Sequence, residues 1–187
     1  MSARLVVIAT ILTLLAAPQA KSDSRAGGFD MDGFLTAAHE AAALRESRRL
    51  SEDAFIRMSR EPGTVILDAR SAERYAELHV EGAVNLSFPD IAIDTLVRAI
   101  PDRNTRILIY CNNNFRDAES AFPSKLPSAS LNLSTFIALY DYGYRNVWEL
   151  EPVVDIDKSK LTFVGTGSAT IQSPVAREGG RALREPF

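Results

Sequence analysis

The sequence predicts an α/β domain built on a mostly parallel sheet. Short apolar runs alternate with stretches of helical spacing along most of the chain. The run Arg106–Tyr110 is apolar and β-branched with no polar alternation, the pattern of a strand buried on both faces. The only cysteine, Cys111, stands where that run gives way to Asn112, Asn113 and Asn114. Open parallel sheets gather their chemistry at this place, outside the carboxyl ends of the strands.

Phe34, Ala37, Ala38, Ala41 and Leu44 recur at helical spacing, with Asp32 available as a cap. Being alanine-rich, this helix reads as an accessory arm outside the core, with His39 and Glu40 facing solvent. Ser51 can cap a second helix whose first turn carries Glu52 and Asp53, and Pro62-Gly63 stops it. Residues 65–67 form a short buried strand ending at Asp68. Ser71 caps a third helix reaching about Leu78, and residues 83–86 make the next strand. A helix over 91–100 is closed by Pro101, and the strand at 106–110 follows. Residues 117–130 hold Pro123, Pro127 and four serines without periodicity and read as a long loop. Helical spacing resumes with Leu133, Phe136, Ile137 and Tyr140, stops at Gly143 in the left-handed region, and leads to a last strand at 147–150.

The amino terminus has the pattern of a secretory signal peptide: Arg4, then a largely apolar run over residues 5–17 with the small residues Ala16, Ala17 and Ala20 at its end. The run is too short for a bilayer span, which takes about 20 residues. The expected organisation is therefore a signal peptide at 1–20, a helical arm at 21–47, a domain at 48–165 and a mobile tail at 166–187. The expected location is the periplasm or the exterior, with no membrane span after cleavage. Losing Arg4 would leave the mature chain slightly more acidic than the full chain's net charge of −3. That balance lacks the basic footprint of a nucleic-acid binder. Two histidines and one cysteine offer no ligand spacing, so neither metal nor other cofactor is expected. A lone cysteine in an exported protein cannot form an internal disulfide and calls for another explanation.

Its neighbours suggest one. The loop 111–116 could curl so that successive backbone N–H groups point inward as an anion nest. Arg116 adds a permanent charge and a planar fork suited to oxyanions. Such a site favours attack by a Cys111 thiolate on an anionic electrophile, with Asn112, Asn113, Asn114 and Phe115 as the substrate-facing wall.

The segment Val65-Ile66-Leu67-Asp68-Ala69-Arg70, together with His79-Val80-Glu81-Gly82-Ala83-Val84-Asn85-Leu86, resembles the first signature of the rhodanese domain. The strand ending at Cys111 and the stretch 140–150, with Tyr142-Gly143-Tyr144, Val147 and Leu150, resemble its second half. The resemblance covers roughly 48–165. It implies a rhodanese-like five-stranded parallel sheet flanked by helices on both faces, with Cys111 opening a six-residue active-site loop. It further implies sulfur transfer through a cysteine persulfide, of thiosulfate or mercaptopyruvate type, from a small anionic donor to a thiol acceptor. Cys111 would carry the sulfur and Arg116 would be the loop's terminal arginine. Asp68 and Arg70 would give structural support, and His79 would serve the fold. The loop departs from the family at two places. Asn112 replaces an arginine, which predicts weaker holding of a dianionic donor, and Asn114 replaces a glycine, which asks for a left-handed asparagine.

Two other functions compete. The insertion at 117–130 could present a protein-binding surface on a non-catalytic rhodanese fold. A cysteine phosphatase or arsenate reductase relative would use the same anion logic, although its usual Cys-x5-Arg spacing is one residue longer than the Cys-x4-Arg found here.

Overall fold

The computed structural model describes residues 28–167. The signal-peptide reading and nearly all of the tail reading fall outside them. The chain divides into Met1–Asp30 and Met31–Phe187, and the architecture is that of the second unit.

In chain order this unit comprises α1 (Met31–Arg45), β1 (Arg49–Leu50), α2 (Glu52–Ser59), β2 (Thr64–Asp68), α3 (Ala72–Glu77), β3 (Ala83–Asn85), α4 (Ile93–Ala99), β4 (Arg106–Tyr110), α5 (Leu131–Asp141) and β5 (Val147–Leu150). The five strands form one sheet, ordered β1, β5, β4, β2, β3 from edge to edge. Every neighbouring pair is parallel. Four strands match the residue-level reading. The fifth, β1, is a two-residue edge strand too short to show a pattern of its own.

β4 lies at the centre and alternates between two cores. Leu108 and Tyr110 join Ile66, Phe55, Phe115 and Phe122 on the α2 face. Ile107 and Ile109 join Leu67, Leu96, Phe136 and Leu139 on the face covered by α1, α4 and α5. The local signals act as the sequence suggests: the Ser51 hydroxyl accepts from Ala54 N–H and the Ser71 hydroxyl from Arg74 N–H. Gly143 takes φ +92° directly after α5, a conformation that a side chain at that turn would oppose.

α1 differs from expectation. It is part of the packed domain: Ala37 and Ala41 are buried, and Ala41 enters the core cluster with Phe136 and Leu139. Alanine methyls bury little area each, which is why the segment reads as weakly hydrophobic. Their small size nevertheless allows α1 to sit close against the core. Phe34, expected on the same apolar stripe, is exposed.

The carboxyl ends of β2 and β4 are tied by a buried polar network. Arg70 donates to both oxygens of Asp68, through Nε at 3.0 and 3.1 Å and Nη2 at 2.6 Å. It also donates to the carbonyls of Leu78 at 2.7 Å and Ala121 at 2.9 Å. Its guanidinium lies 4.0 Å from the centre of the Phe122 ring. Tyr110 donates to Asp68 Oδ2 at 2.5 Å and accepts from Val80 N–H at 3.1 Å. Burial first, then the adjacent Asp68 carboxylate, push the Tyr110 phenol well above its usual range, which keeps it a donor.

Because nearly every polar atom of this network is paired out of water, breaking it is costly. Asp68→Ala should destabilise the domain by about 3–5 kcal/mol by stranding the Arg70 charge. Tyr110→Phe should cost about 1–2 kcal/mol through the unpaired Val80 N–H. Urea unfolding of the two variants checks the order, and equal losses would contradict this account.

Candidate active site

Cys111 follows Tyr110 directly and is therefore held by the Asp68 network one residue upstream. It is 2 % exposed and unpaired. It lies against a cleft of about 550 Å³ whose walls include Asn113, Arg116, Lys125, Ser130 and Glu149. Cys111 Sγ lies 3.3 Å from Ser130 Oγ. Ser130 is the N-cap of α5, yet its hydroxyl makes no cap hydrogen bond, which leaves it available to the sulfur. The sulfur thus faces a hydroxyl at the positive end of an 11-residue helix, a setting that favours negative charge.

The loop amides take another course. Residues 112–114 form a single 3₁₀ turn, and Phe115–Arg116 then pairs as a short strand with Val154–Asp155. Asn114 N–H donates to Cys111 O, Phe115 N–H to Asn112 O, and Cys111 N–H to Asn114 Oδ1. Three amides of the expected nest are therefore spent inside the loop. From the loop, Cys111, Asn113, Asn114, Phe115 and Arg116 line the cleft, together with the α5 terminus.

Each predicted loop residue has a distinct place. Asn114 is buried and fully engaged: Oδ1 accepts from Cys111 N–H and from Asn132 Nδ2, and Nδ2 donates to Leu150 O at 2.8 Å and Pro152 O at 3.1 Å. It stitches the loop to the end of β5 without adopting a left-handed backbone. Among the described residues the non-glycine position with positive φ is Asp117, at 64°. Phe115 touches the cleft but belongs to an aromatic cluster with Tyr110, Phe122 and Phe163. Asn112 does not line the Cys111 cleft. It is buried against an adjoining pocket with Arg70, Arg74, Ser87 and Phe88, which shares Lys125 with the cleft, and its Oδ1 has no partner. Asn112 itself therefore does not line the donor cleft as the sequence reading expects.

Arg116 is exposed and lines the cleft. Asn113 reaches across to the 117–130 insertion: its Nδ2 donates to Lys125 O and its Oδ1 accepts from Lys125 N–H, both at 2.9 Å. The insertion is thus fastened beside the active-site loop. Asp68 and Arg70 sit beneath this region in the network already described.

Sequence reasoning missed Ser130, Lys125 and Glu149. Ser130 precedes α5, and a serine before an apolar helical run is an N-cap signal that could have marked it. Lys125 carries no local signal. Glu149 lies on β5 opposite Ile109, is 1 % exposed, and pairs through Oε1 with Arg45 at the end of α1. Arg49 Nε approaches the same oxygen at 3.6 Å. Burial pushes the Glu149 carboxyl up, and Arg45 and Arg49 pull it back only in part. Among the described residues no cluster of three metal-ligating side chains is present. No helix among them is long and apolar enough to cross a membrane.

The family model for the rhodanese-like domain matches residues 51–151, more than half of the 187-residue chain. Thiosulfate sulfurtransferase PspE of Escherichia coli (strain K12) is 35 % identical over 46 residues, which cover 25 % of this chain and 43 % of that protein. The match thus spans less than half of that relative's own length. The solution NMR structure of a rhodanese-like domain from Anabaena sp. aligns at a TM-score of 0.45 and 16 % identity, over 75 % of this chain and 89 % of its own. A structure described as rhodanese with anions from E. coli aligns at 0.36 and 22 %, over 55 % and 98 %.

Two measurements test the site. Ser130→Ala should slow alkylation of Cys111 by iodoacetamide at neutral pH by roughly fivefold, the worth of about 1 kcal/mol of hydrogen bond to sulfur. An unchanged rate would remove Ser130 from the sulfur's surroundings. The raised Glu149 carboxyl sets a pH dependence: its contribution to stability is full below the ordinary carboxylate range and is lost as pH rises through the raised value. The stability of the native chain relative to Glu149→Gln should therefore fall as pH rises out of the ordinary carboxylate range. A difference that grows over that rise would contradict the assignment.

Proposed function

This chain belongs to the rhodanese-like domain family, and on that premise we propose that it is an exported sulfurtransferase or persulfide carrier. The observation that carries the reading is Cys111 at the end of the central strand, its Sγ 3.3 Å from a hydroxyl at the amino end of α5, in a cleft that Arg116 also lines. A thiolate there can attack the outer sulfur of a small anionic donor such as thiosulfate. The donor's S–S bond breaks, sulfite leaves with the electron pair, and Cys111 is left as a persulfide anion. A thiolate acceptor then takes the outer sulfur and returns Cys111 to the thiolate. Neither half needs an outside oxidant or reductant. Arg116 suits the donor's oxyanion end, and Ser130 and the helix terminus suit the charge on sulfur. A 3-mercaptopyruvate-type donor fits the same anionic logic. Export rests on Arg4 and the apolar run over 5–17.

A phosphatase or arsenate reductase role has less support, because three loop amides that would cradle a tetrahedral oxyanion are bonded within the loop. A binding role for the insertion has one observation in its favour: Leu126 and Val153, both exposed apolar residues, lie beside Lys125 and on the cleft wall respectively. Protein recognition at that rim is compatible with delivering sulfur to a cysteine of a partner.

Intact mass of the chain recovered from the periplasm or medium after exposure to thiosulfate reads both parts of the proposal. The expected species lacks its first 16 to 20 residues and carries one added sulfur, which Cys111→Ser abolishes. A chain that retains Met1 would refute export, and one that takes no sulfur from thiosulfate, 3-mercaptopyruvate or a small persulfide would refute transfer.

A further inference from the structure

Two ion pairs decide which charges remain in the Cys111 cleft. Arg45, on its wall, is committed to Glu149. Glu151, also on its wall, is committed to Arg49 at 3.0 Å. These pairs cancel and leave Arg116, partly offset by the neighbouring Asp117, and Lys125 as the remaining lining cations. They arrive by different routes. Arg116 ends the active-site loop, whereas Lys125 belongs to the 117–130 insertion and is exposed. Its backbone is nevertheless fixed, because the Asn113 side-chain amide bonds both its N–H and its C=O at 2.9 Å. An asparagine amide that matches a backbone donor and acceptor together acts like one rung of a ladder and sets position as well as distance.

We propose that Lys125, seated by Asn113, is the second cation of the Cys111 site and, with Arg116, gives it a preference for dianionic sulfur donors. The proposal builds on sulfur transfer at Cys111 and reverses what Asn112 alone predicts: the charge missing from the loop is supplied by the insertion. Lys125 acts as a specificity residue towards the donor, and Asn113 as a positioning residue through it. The insertion then has a chemical duty as part of the donor site.

Alkylation of Cys111 isolates this charge effect from turnover. Iodoacetate is an anion and iodoacetamide is neutral, so the ratio of their rates reports the potential at the sulfur while sulfur reactivity cancels. Lys125→Gln should lower the iodoacetate-to-iodoacetamide ratio by about three- to tenfold in dilute buffer, and about 0.5 M salt should erase most of the difference. Lys125→Arg should preserve the ratio. Asn113→Ala should lower it in the same sense with Lys125 still present. A ratio unchanged in Lys125→Gln overturns the proposal, and a fall in that variant without one in Asn113→Ala overturns the seating by Asn113. In donor assays Lys125→Gln should raise KM for thiosulfate more than for 3-mercaptopyruvate, and equal shifts also count against it. If no donor loads sulfur while the alkylation ratio falls as stated, sulfur transfer fails and the cationic role of Lys125 stands.

Discussion

The contact between Asp68, Arg70 and Tyr110 governs the geometry of everything around Cys111. Asp68 ends β2, Tyr110 ends β4, and the two are paired in register across the sheet. Arg70 adds bonds to Leu78 before the β3 region and to Ala121 in the insertion. Asn85 closes the third side by donating to the carbonyls of Asp68 and Arg70, each at 2.9 Å. A buried ion pair of this kind gains little net stability over a well-packed apolar replacement. Its value here is positional. Each bond has one geometry, so the residue after Tyr110 is delivered to one place with one orientation.

With the strand end held, the loop needs few residues of its own to be rigid. Asn114 occupies all its hydrogen-bonding capacity in joining the loop to β5, and Phe115 plugs into the aromatic cluster beneath. The consequence is a loop in which three amides, those of Cys111, Asn114 and Phe115, are bonded within the loop itself. The cleft beside the sulfur is then lined by elements distant in sequence: the start of α5, whose Ser130 hydroxyl meets the sulfur, and the insertion, whose Lys125 lines the wall. Asn113 is the loop side chain that ties the active-site loop to the insertion, since it lines the cleft and bonds Lys125.

The same cleft is closed on its far side by α1. Arg45, near the end of that helix, reaches Glu149 on β5, so a helix of small residues is pinned by a charge where apolar area alone would hold it weakly. Glu149 pays for this with a partly uncompensated burial, visible in its unpartnered Oε2 and raised carboxyl. Stability of the α1 docking and the electrostatics of the cleft therefore share one pair of residues.

The parallel sheet was legible because its evidence is local. β4 announces itself by an unbroken apolar run, Ser51 and Ser71 by their place before helical spacing, and Gly143 by the turn that follows α5. The resemblance built on residues 65–86 and on Cys111 was equally a matter of adjacent residues. What escaped was long-range. β1 has two residues and exists only because β5 offers it an edge. α1 is core because α5 and Glu149 receive it, not because its own stripe is strongly apolar. Asn112 and Asn113 are chemically identical neighbours, yet the 3₁₀ turn buries the first and directs the second to Lys125. By itself the sequence determined the architecture, the strand end that bears the thiol and the identity of that thiol. Tertiary structure alone decided which charges face it, since pairing between Arg45 and Glu149 or between Asn113 and Lys125 depends on distances that no local pattern encodes.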